Sequence, residues 1–256
     1  MKKLIVLALF TSLLISNDSD NADSFLKACN AGEPKGCFRL ANIARFAEED
    51  NLKAKELYEK SCNGNYAPAC ASLGYMYMFE KNHLKEKEFQ EKACVGGYYN
   101  SCFRLGEIYE EGEGIKQNIF LAKDSYEKAC FGGDRGGCSA LGSFYENGQG
   151  VKQDYFKAFE LYKKACDGGS CFGLGRLYYL GKGAKQDYFK AVDIFQKACN
   201  CNNPDERACF ILGNMYAEGK GVKQNKKIAK ELFGKACEGK LAEGCYNYKI
   251  LNEQGY

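Results

Sequence analysis

Ser125-Tyr126-Glu127-Lys128 matches S-x-x-K, the spacing that puts a lysine one helical turn from a serine nucleophile in enzymes that open β-lactam rings. The chemistry would be attack by the Ser125 hydroxyl on a strained amide, with Lys128 taking the proton. Cys130 and Cys138 follow at once and bracket a glycine-rich stretch, which offers a second chemistry, a disulfide. The rest of a serine site is thin. Ser24-Phe25-Leu26-Lys27 is the other S-x-x-K match, Ser19-Asp20-Asn21 supplies an S-D-N beside the apolar N-terminus, and there is no K-T-G. The single histidine, His83, follows Asn82 at an expected helix start and reads as a surface residue. An activated serine also needs a base and an oxyanion hole, and no such set is complete. Catalytic residues are therefore left unassigned, with Ser125 and Lys128 as weak candidates.

The elements that carry these residues are legible from the cysteines. There are 15 in 256 residues. They pair as Cys29/Cys37, Cys62/Cys70, Cys94/Cys102, Cys130/Cys138, Cys166/Cys171, Cys199/Cys209 and Cys237/Cys245, with Cys201 left over. First members step by 33, 32, 36, 36, 33 and 38 residues, a period that marks a helical repeat. Two residues before each first cysteine stands a lysine: Lys27, Lys60, Lys92, Lys128, Lys164, Lys197 and Lys235. Four before it the slot is aromatic, except for Gln90. Twelve before it comes Asp50, Asn82, Asn118, Asp154, Asp187 or Asn225, all preferred helix N-caps. This segment is the expected helix B. Three residues after the second cysteine comes Leu, usually followed by Gly, and four residues later usually Tyr. This is helix A, and four copies end at G-x-G, which suits a left-handed cap. A glycine repeated inside helix A costs about 1 kcal/mol against alanine, so another helix is expected to pack close there. Half of S-x-x-K thus belongs to the repeat, because Lys128 is the lysine of every copy.

Two residues eight apart in one helix lie about 12 Å apart along its axis, too far for a bridge. The chain must turn between the cysteines, and all three prolines, Pro34, Pro68 and Pro204, lie in these intervals. Each bridge is expected to join the end of helix B to the start of the next helix A. The interval is short in Cys166/Cys171 and long in Cys199/Cys209. Cys201 keeps the usual spacing of eight to Cys209, but Cys199 keeps the helix-B register, which favours 199–209. Cys201 is then free or bonded to another chain, and the protein is otherwise a monomer.

Residues 1–16, MKKLIVLALFTSLLIS, have two lysines before an apolar run too short to span a bilayer. This reads as a signal peptide within residues 1–22, cut between Ser16 and Ala22, and a secreted or periplasmic chain. One repeat solenoid is expected over 23–256. Export and 15 cysteines imply disulfides, and one histidine without any C-x-x-C argues against a metal site. Net charge is +3, and losing Lys2 and Lys3 leaves +1 (3 − 2), which gives no case for nucleic acid or a membrane surface. No cofactor is expected.

The unit A-C-x7-C-x2-L-G-x2-Y-x2-G-x-G-V-K-Q-[DN], closing on K-A-C, resembles a Sel1-like repeat with added cysteines, as in the Helicobacter cysteine-rich protein family. The resemblance covers about residues 23–256. It implies an all-α, right-handed αα solenoid related to tetratricopeptide arrays, secreted, with a bridge in each unit. It also implies two functions. Members carry a β-lactamase and penicillin-binding assignment, while Sel1-like repeats elsewhere act as protein-interaction scaffolds.

Helix A lines the concave face of such arrays. Positions two, five and nine after each second cysteine form one varying stripe. Candidate binding residues on it are Arg39, Asn42, Tyr75, Phe79, Arg104, Glu107, Ser143, Asn147, Arg176 and Asn214. The nine positions after the second cysteine in the first six A helices hold no lysine and four of the six arginines, as binding surfaces do. Helix A being the more buried helix would exclude lysine equally well. The leading expectation is a scaffold for a protein or peptide, such as a host protein or a cell-wall fragment. A slow β-lactamase with a β-lactam ligand comes next, and a purely structural envelope protein third.

Overall fold

The computed structural model describes residues 22–112, 114–167, 171–200 and 204–256. Residues 1–21, which hold the expected signal peptide, and Cys201 lie outside the described residues. Among the described residues there are fourteen helices and no strand. They fall into two compact units, one ending at Asn118 and the other beginning at Ile119.

In the first unit the B helices are α1 (residues 22–30), α3 (Asn51–Asn63) and α5 (His83–Val95). The A helices are α2 (Pro34–Phe46), α4 (Ala67–Phe79) and α6 (Tyr99–Glu111). In the second unit the B helices are α7 (Ile119–Phe131), α9 (Tyr155–Cys166), α11 (Tyr188–Cys199) and α13 (Lys226–Glu238). Its A helices are α8 (Arg135–Asn147), α10 (Phe172–Leu180), α12 (Glu206–Glu218) and α14 (Ala242–Glu253). Within each unit consecutive helices pack on one another.

The starts of helix B follow from the capping residues. Asp50, Asn82, Asp154, Asp187 and Asn225 each accept a backbone N–H three residues on, at 2.9–3.2 Å. Helix A ends where glycine permits it: Gly112, Gly148, Gly181 and Gly219 have φ of 69–75°. The glutamine of G-x-G-x-K-Q then ties the loop down. Gln117, Gln153, Gln186 and Gln224 each donate to a carbonyl of the preceding helix A, at 2.7–3.0 Å.

The interior glycine of helix A makes room for a ring. A Cβ on Gly142 would lie 2.9 Å from Tyr162 Cδ1, and one on Gly175 or Gly213 2.7 Å from Phe195 or Phe233. The aromatic slot of helix B is thus the knob, and the Leu-Gly of the preceding helix A is the hole. The fixed lysine is explained differently, because Lys60, Lys92, Lys128, Lys164, Lys197 and Lys235 are all exposed. Each lies in the last turn of its helix, where a cation opposes the helix dipole. An acidic residue stands four before it, and Lys92 and Lys197 reach theirs, Glu88 and Asp193, at 2.7 Å.

All seven bridges form, with Cα atoms 4.1–4.9 Å apart. In the first unit they are Cys29–Cys37, Cys62–Cys70 and Cys94–Cys102. In the second they are Cys130–Cys138, Cys166–Cys171, Cys199–Cys209 and Cys237–Cys245. Cys199 thus takes Cys209, in keeping with the helix-B register. The three residues missing between Cys166 and Cys171 come out of helix A. Other A helices begin three residues before their cysteine, whereas α10 begins at Phe172 and is nine residues long.

Candidate functional site

The fixed and varying slots of helix A separate by burial. Leu40, Leu73, Leu105, Leu141, Leu174 and Leu212 are buried, as is the small residue after each. From α2 to α12 the second cysteine that opens the register belongs with these packing residues and not with the accessible site. Cys102 in the first turn of α6 and Cys209 in that of α12 are both fully buried, so their bridges to Cys94 and Cys199 staple the core and offer no surface to a partner. The stripe is accessible: its fifth positions are all half-buried and its ninth positions all exposed. Arg39 is exposed, Asn42, Tyr75, Arg104 and Glu107 are half-buried, and Phe79 is 72% exposed. In the second unit Ser143, Arg176 and Asn214 are half-buried and Asn147 is exposed.

Several of these residues meet. Arg104 donates from Nε to Glu86 Oε1 at 2.8 Å and pairs with Glu107 Oε2 at 3.2 Å. Burial works against the Arg104 charge, but Glu86 and Glu107 outweigh it and hold its pKa above the usual value. Burial raises Glu107 despite Arg104 beside it. Asn147 donates to Ser143 Oγ at 3.1 Å, and Asn247 reaches Asn214 at 3.5 Å, joining the stripe of α14 to that of α12. The Tyr58 hydroxyl donates to Asn42 at 2.6 Å. Burial raises its pKa, opposed by Arg45 and by Ser72 of α4.

Arg176 pairs with Glu146, and the Tyr162 hydroxyl donates to the same carboxylate at 2.8 Å. Burial first, and Glu146 second, push Tyr162 well above the ordinary tyrosine range. Glu146 is 4% exposed and escaped the sequence reading. The signal was present in the repeat. Tyr58 and Tyr162 carry a hydroxyl where the eighth residue after the preceding second cysteine is charged, Arg45 or Glu146. Phe195 and Phe233 lack one where that residue is Tyr179 or Ala217.

Glu86 and Gln90 also went unassigned. Both are fully buried in α5. Every other B helix of the same register has a buried alanine in the Glu86 slot: Ala54, Ala122, Ala158, Ala191 and Ala229. Glu86 Oε2, Gln90 Nε2 and Gln90 Oε1 have no hydrogen-bond partner. His83 differs from the expected surface residue. Its side chain is 22% exposed, 3.5 Å from Glu86, and a Cβ on Gly114 would lie 2.7 Å from its own. The glycine loop after α6 covers it.

Ser125 is buried, and its hydroxyl donates to the Leu121 carbonyl at 2.8 Å. A serine in a helix can return its hydroxyl to the carbonyl four residues back, so a polar residue fits this mostly apolar slot. Lys128 is exposed at the helix end, whereas Ser125 is buried. Ser125→Ala is expected to change stability by about 1 kcal/mol or less and to leave penicillin turnover unaltered. Parallel melting and hydrolysis assays check both. A groove of about 300 Å³ lies beside Phe131, Leu141, Tyr145, Phe156 and Leu161, edged by Lys157 and Lys164; its lining contains no serine or histidine. Among the described residues no cluster of His, Cys, Asp and Glu could hold a metal, and no helix is long and apolar enough to cross a membrane.

The repeat matches the family model for the Sel1 repeat at residues 34–66, 67–85, 100–134, 137–170, 169–203 and 206–241. The chain belongs to the Sel1 repeat family. Among solved structures it is similar to c5321, a protective antigen present in uropathogenic Escherichia coli strains. That match has a TM-score of 0.81 and 26% identity, over 91% of this chain and 52% of that one. A Sel1 repeat protein from Oxalobacter formigenes shares the fold, with a TM-score of 0.68 and 23% identity, over 87% of this chain and 86% of that one. Helicobacter pylori cysteine rich protein B is also similar, at 33% identity over 52% of this chain and 99% of its own, with a TM-score of 0.42. A curated relative, cytochrome c oxidase assembly factor 7 of Xenopus tropicalis, is 34% identical over 62 residues. The chain thus spans about half the length of c5321 and 27% of that of the assembly factor. Its Sel1 repeats form a disulfide-stapled scaffold, and seven bridges suit an oxidising compartment.

Proposed function

We propose that this protein is a secreted or periplasmic scaffold that binds a protein, a peptide or a peptidoglycan-derived fragment on its helix-A face. One observation carries the reading: the Leu and the small residue fixed from repeat to repeat are buried, while the varying fifth and ninth positions of the same helices are half-buried or exposed. Packing needs sameness, and recognition needs difference. Arginine and aromatic side chains on that stripe, with no lysine, match the composition of binding surfaces. Burial alone would exclude lysine, but it does not account for Arg39, Phe46 and Phe79 standing exposed there.

The test uses the oxidised chain, a random peptide library and soluble cell-wall fragments. Arg39→Ala with Phe79→Ala in the first unit, and Asn147→Ala with Arg176→Ala in the second, are expected to weaken a selected ligand at least tenfold. Arg39, Phe79 and Asn147 are exposed, and a melting curve checks that the second unit stays folded when Arg176 no longer pairs with the buried Glu146. Affinity that is unchanged in both variants moves binding off the helix-A face.

A further inference from the structure

The helix-A face of the first unit is not uniform in charge. Helix α4, Ala67–Phe79, contains no charged residue at all. Its accessible side presents Tyr75, Met78 and Phe79. Next to it, α2 offers Arg39 and Arg45, with the Arg45 guanidinium 5.1 Å from the ring centroid of the exposed Phe46. On the other side α6 offers Glu107 and Glu111. Arg104 adds little positive charge there, because it is shared between Glu86 and Glu107. An apolar, aromatic centre therefore lies between a basic edge and an acidic edge.

The acidic edge rests on a costly support. Glu86 replaces the buried alanine of the other repeats, and Gln90 replaces their aromatic ring, one turn apart on the same helix. Burying a carboxylate and an amide with unpaired atoms disfavours folding, and an alanine and a ring would fill the space without that penalty. What Glu86 does is hold Arg104, which in turn pairs with Glu107 on the accessible side.

Building on the helix-A reading above, we propose that the first unit binds an extended peptide segment of mixed charge. A large apolar side chain lies over Tyr75 and Phe79, an acidic side chain meets Arg39 and Arg45, and a basic one meets Glu107 and Glu111. Helices α2 and α4 both pack on α3, and α4 and α6 both on α5, so neighbouring A helices lie about one helix diameter, about 10 Å, apart, and an extended chain advances about 3.3 Å per residue. About three residues therefore separate each charged side chain from the apolar one. Glu86 is a positioning residue for this site.

Three fluorescent nine-residue peptides test the idea with the full oxidised chain: acid–apolar–base, acid–apolar–acid and base–apolar–base, at that spacing. The mixed peptide is expected to bind at least ten times tighter than either like-charged peptide, and less so at high salt. Arg39→Glu with Arg45→Glu is expected to transfer the preference to base–apolar–base. Glu86→Ala with Gln90→Tyr, which restores the residues of the other repeats, should flatten the preference while the melting temperature holds or rises. Equal binding of the three peptides, or no binding of any, overturns the proposal. If library ligands still depend on the stripe in that event, the helix-A reading stands and only the charge rule fails. If they do not, both fail.

Discussion

Replacing Cys130 and Cys138 together by alanine is expected to lower the stability of the second unit by about 2–4 kcal/mol, and full reduction is expected to abolish its cooperative melting. The bridge closes a loop of about nine residues, for which the chain-entropy model gives about 2.5 kcal/mol. The loss should appear as a fall on the order of 10 °C in the melting temperature. The effect should be local at first, because a repeat contacts chiefly its neighbours. Full reduction is different in kind. Each helix is only nine to thirteen residues long, below the length at which isolated helices hold together in water. Each bridge fixes the turn between two such helices before their packing is complete. Several losses of this size approach the whole stability of an ordinary domain. Circular dichroism melts of oxidised, reduced and double-alanine protein measure all three. A reduced protein that melts cooperatively within a few degrees of the oxidised one would assign the stability to helix packing instead.

Much of this architecture was legible because its causes are local. A capping Asp or Asn, a cysteine pair and a Gly-x-Gly each act within about a dozen residues, so spacing alone places helix A, helix B and the bridge. The stripe was legible too, since comparing repeats separates what packing demands from what it leaves free. The interactions between helices were not. Glu146 meets Arg176 across 30 residues of sequence, and Glu86 meets Arg104 across 18. Nothing in the spacing says which side chains of neighbouring helices will touch. Gln90 stood out as the exception in an aromatic slot, but its burial gives the exception meaning. Ser125 followed the opposite course. It was conspicuous in sequence as half of a catalytic motif, and the structure spends its hydroxyl on the Leu121 carbonyl.

The glycine inside helix A supplies the second large effect, and here two physical terms have opposite signs. Gly142→Ala should gain about 1 kcal/mol from helix propensity. The new Cβ would lie 2.9 Å from both Cδ1 and Cε1 of Tyr162, closer than packed carbons tolerate. That ring has little freedom to yield. Gly173 of α10 confines it as well, since a Cβ there would lie 2.5 Å away, and its hydroxyl is tied to the buried Glu146. Overpacking of this kind costs about 1–3 kcal/mol and sometimes more, and the confined ring puts it at the upper end, so a net loss of up to about 2 kcal/mol is expected. Gly74→Ala provides the contrast. Its Cβ would meet Gln90, an unbranched side chain that can rotate aside, so a smaller loss is expected. If Gly142→Ala instead raised the melting temperature, ring packing would not be the reason for the glycine. A loss at Gly142 that Tyr162→Leu partly restores would assign the glycine to this contact, which recurs in the second unit at Gly175 and Gly213.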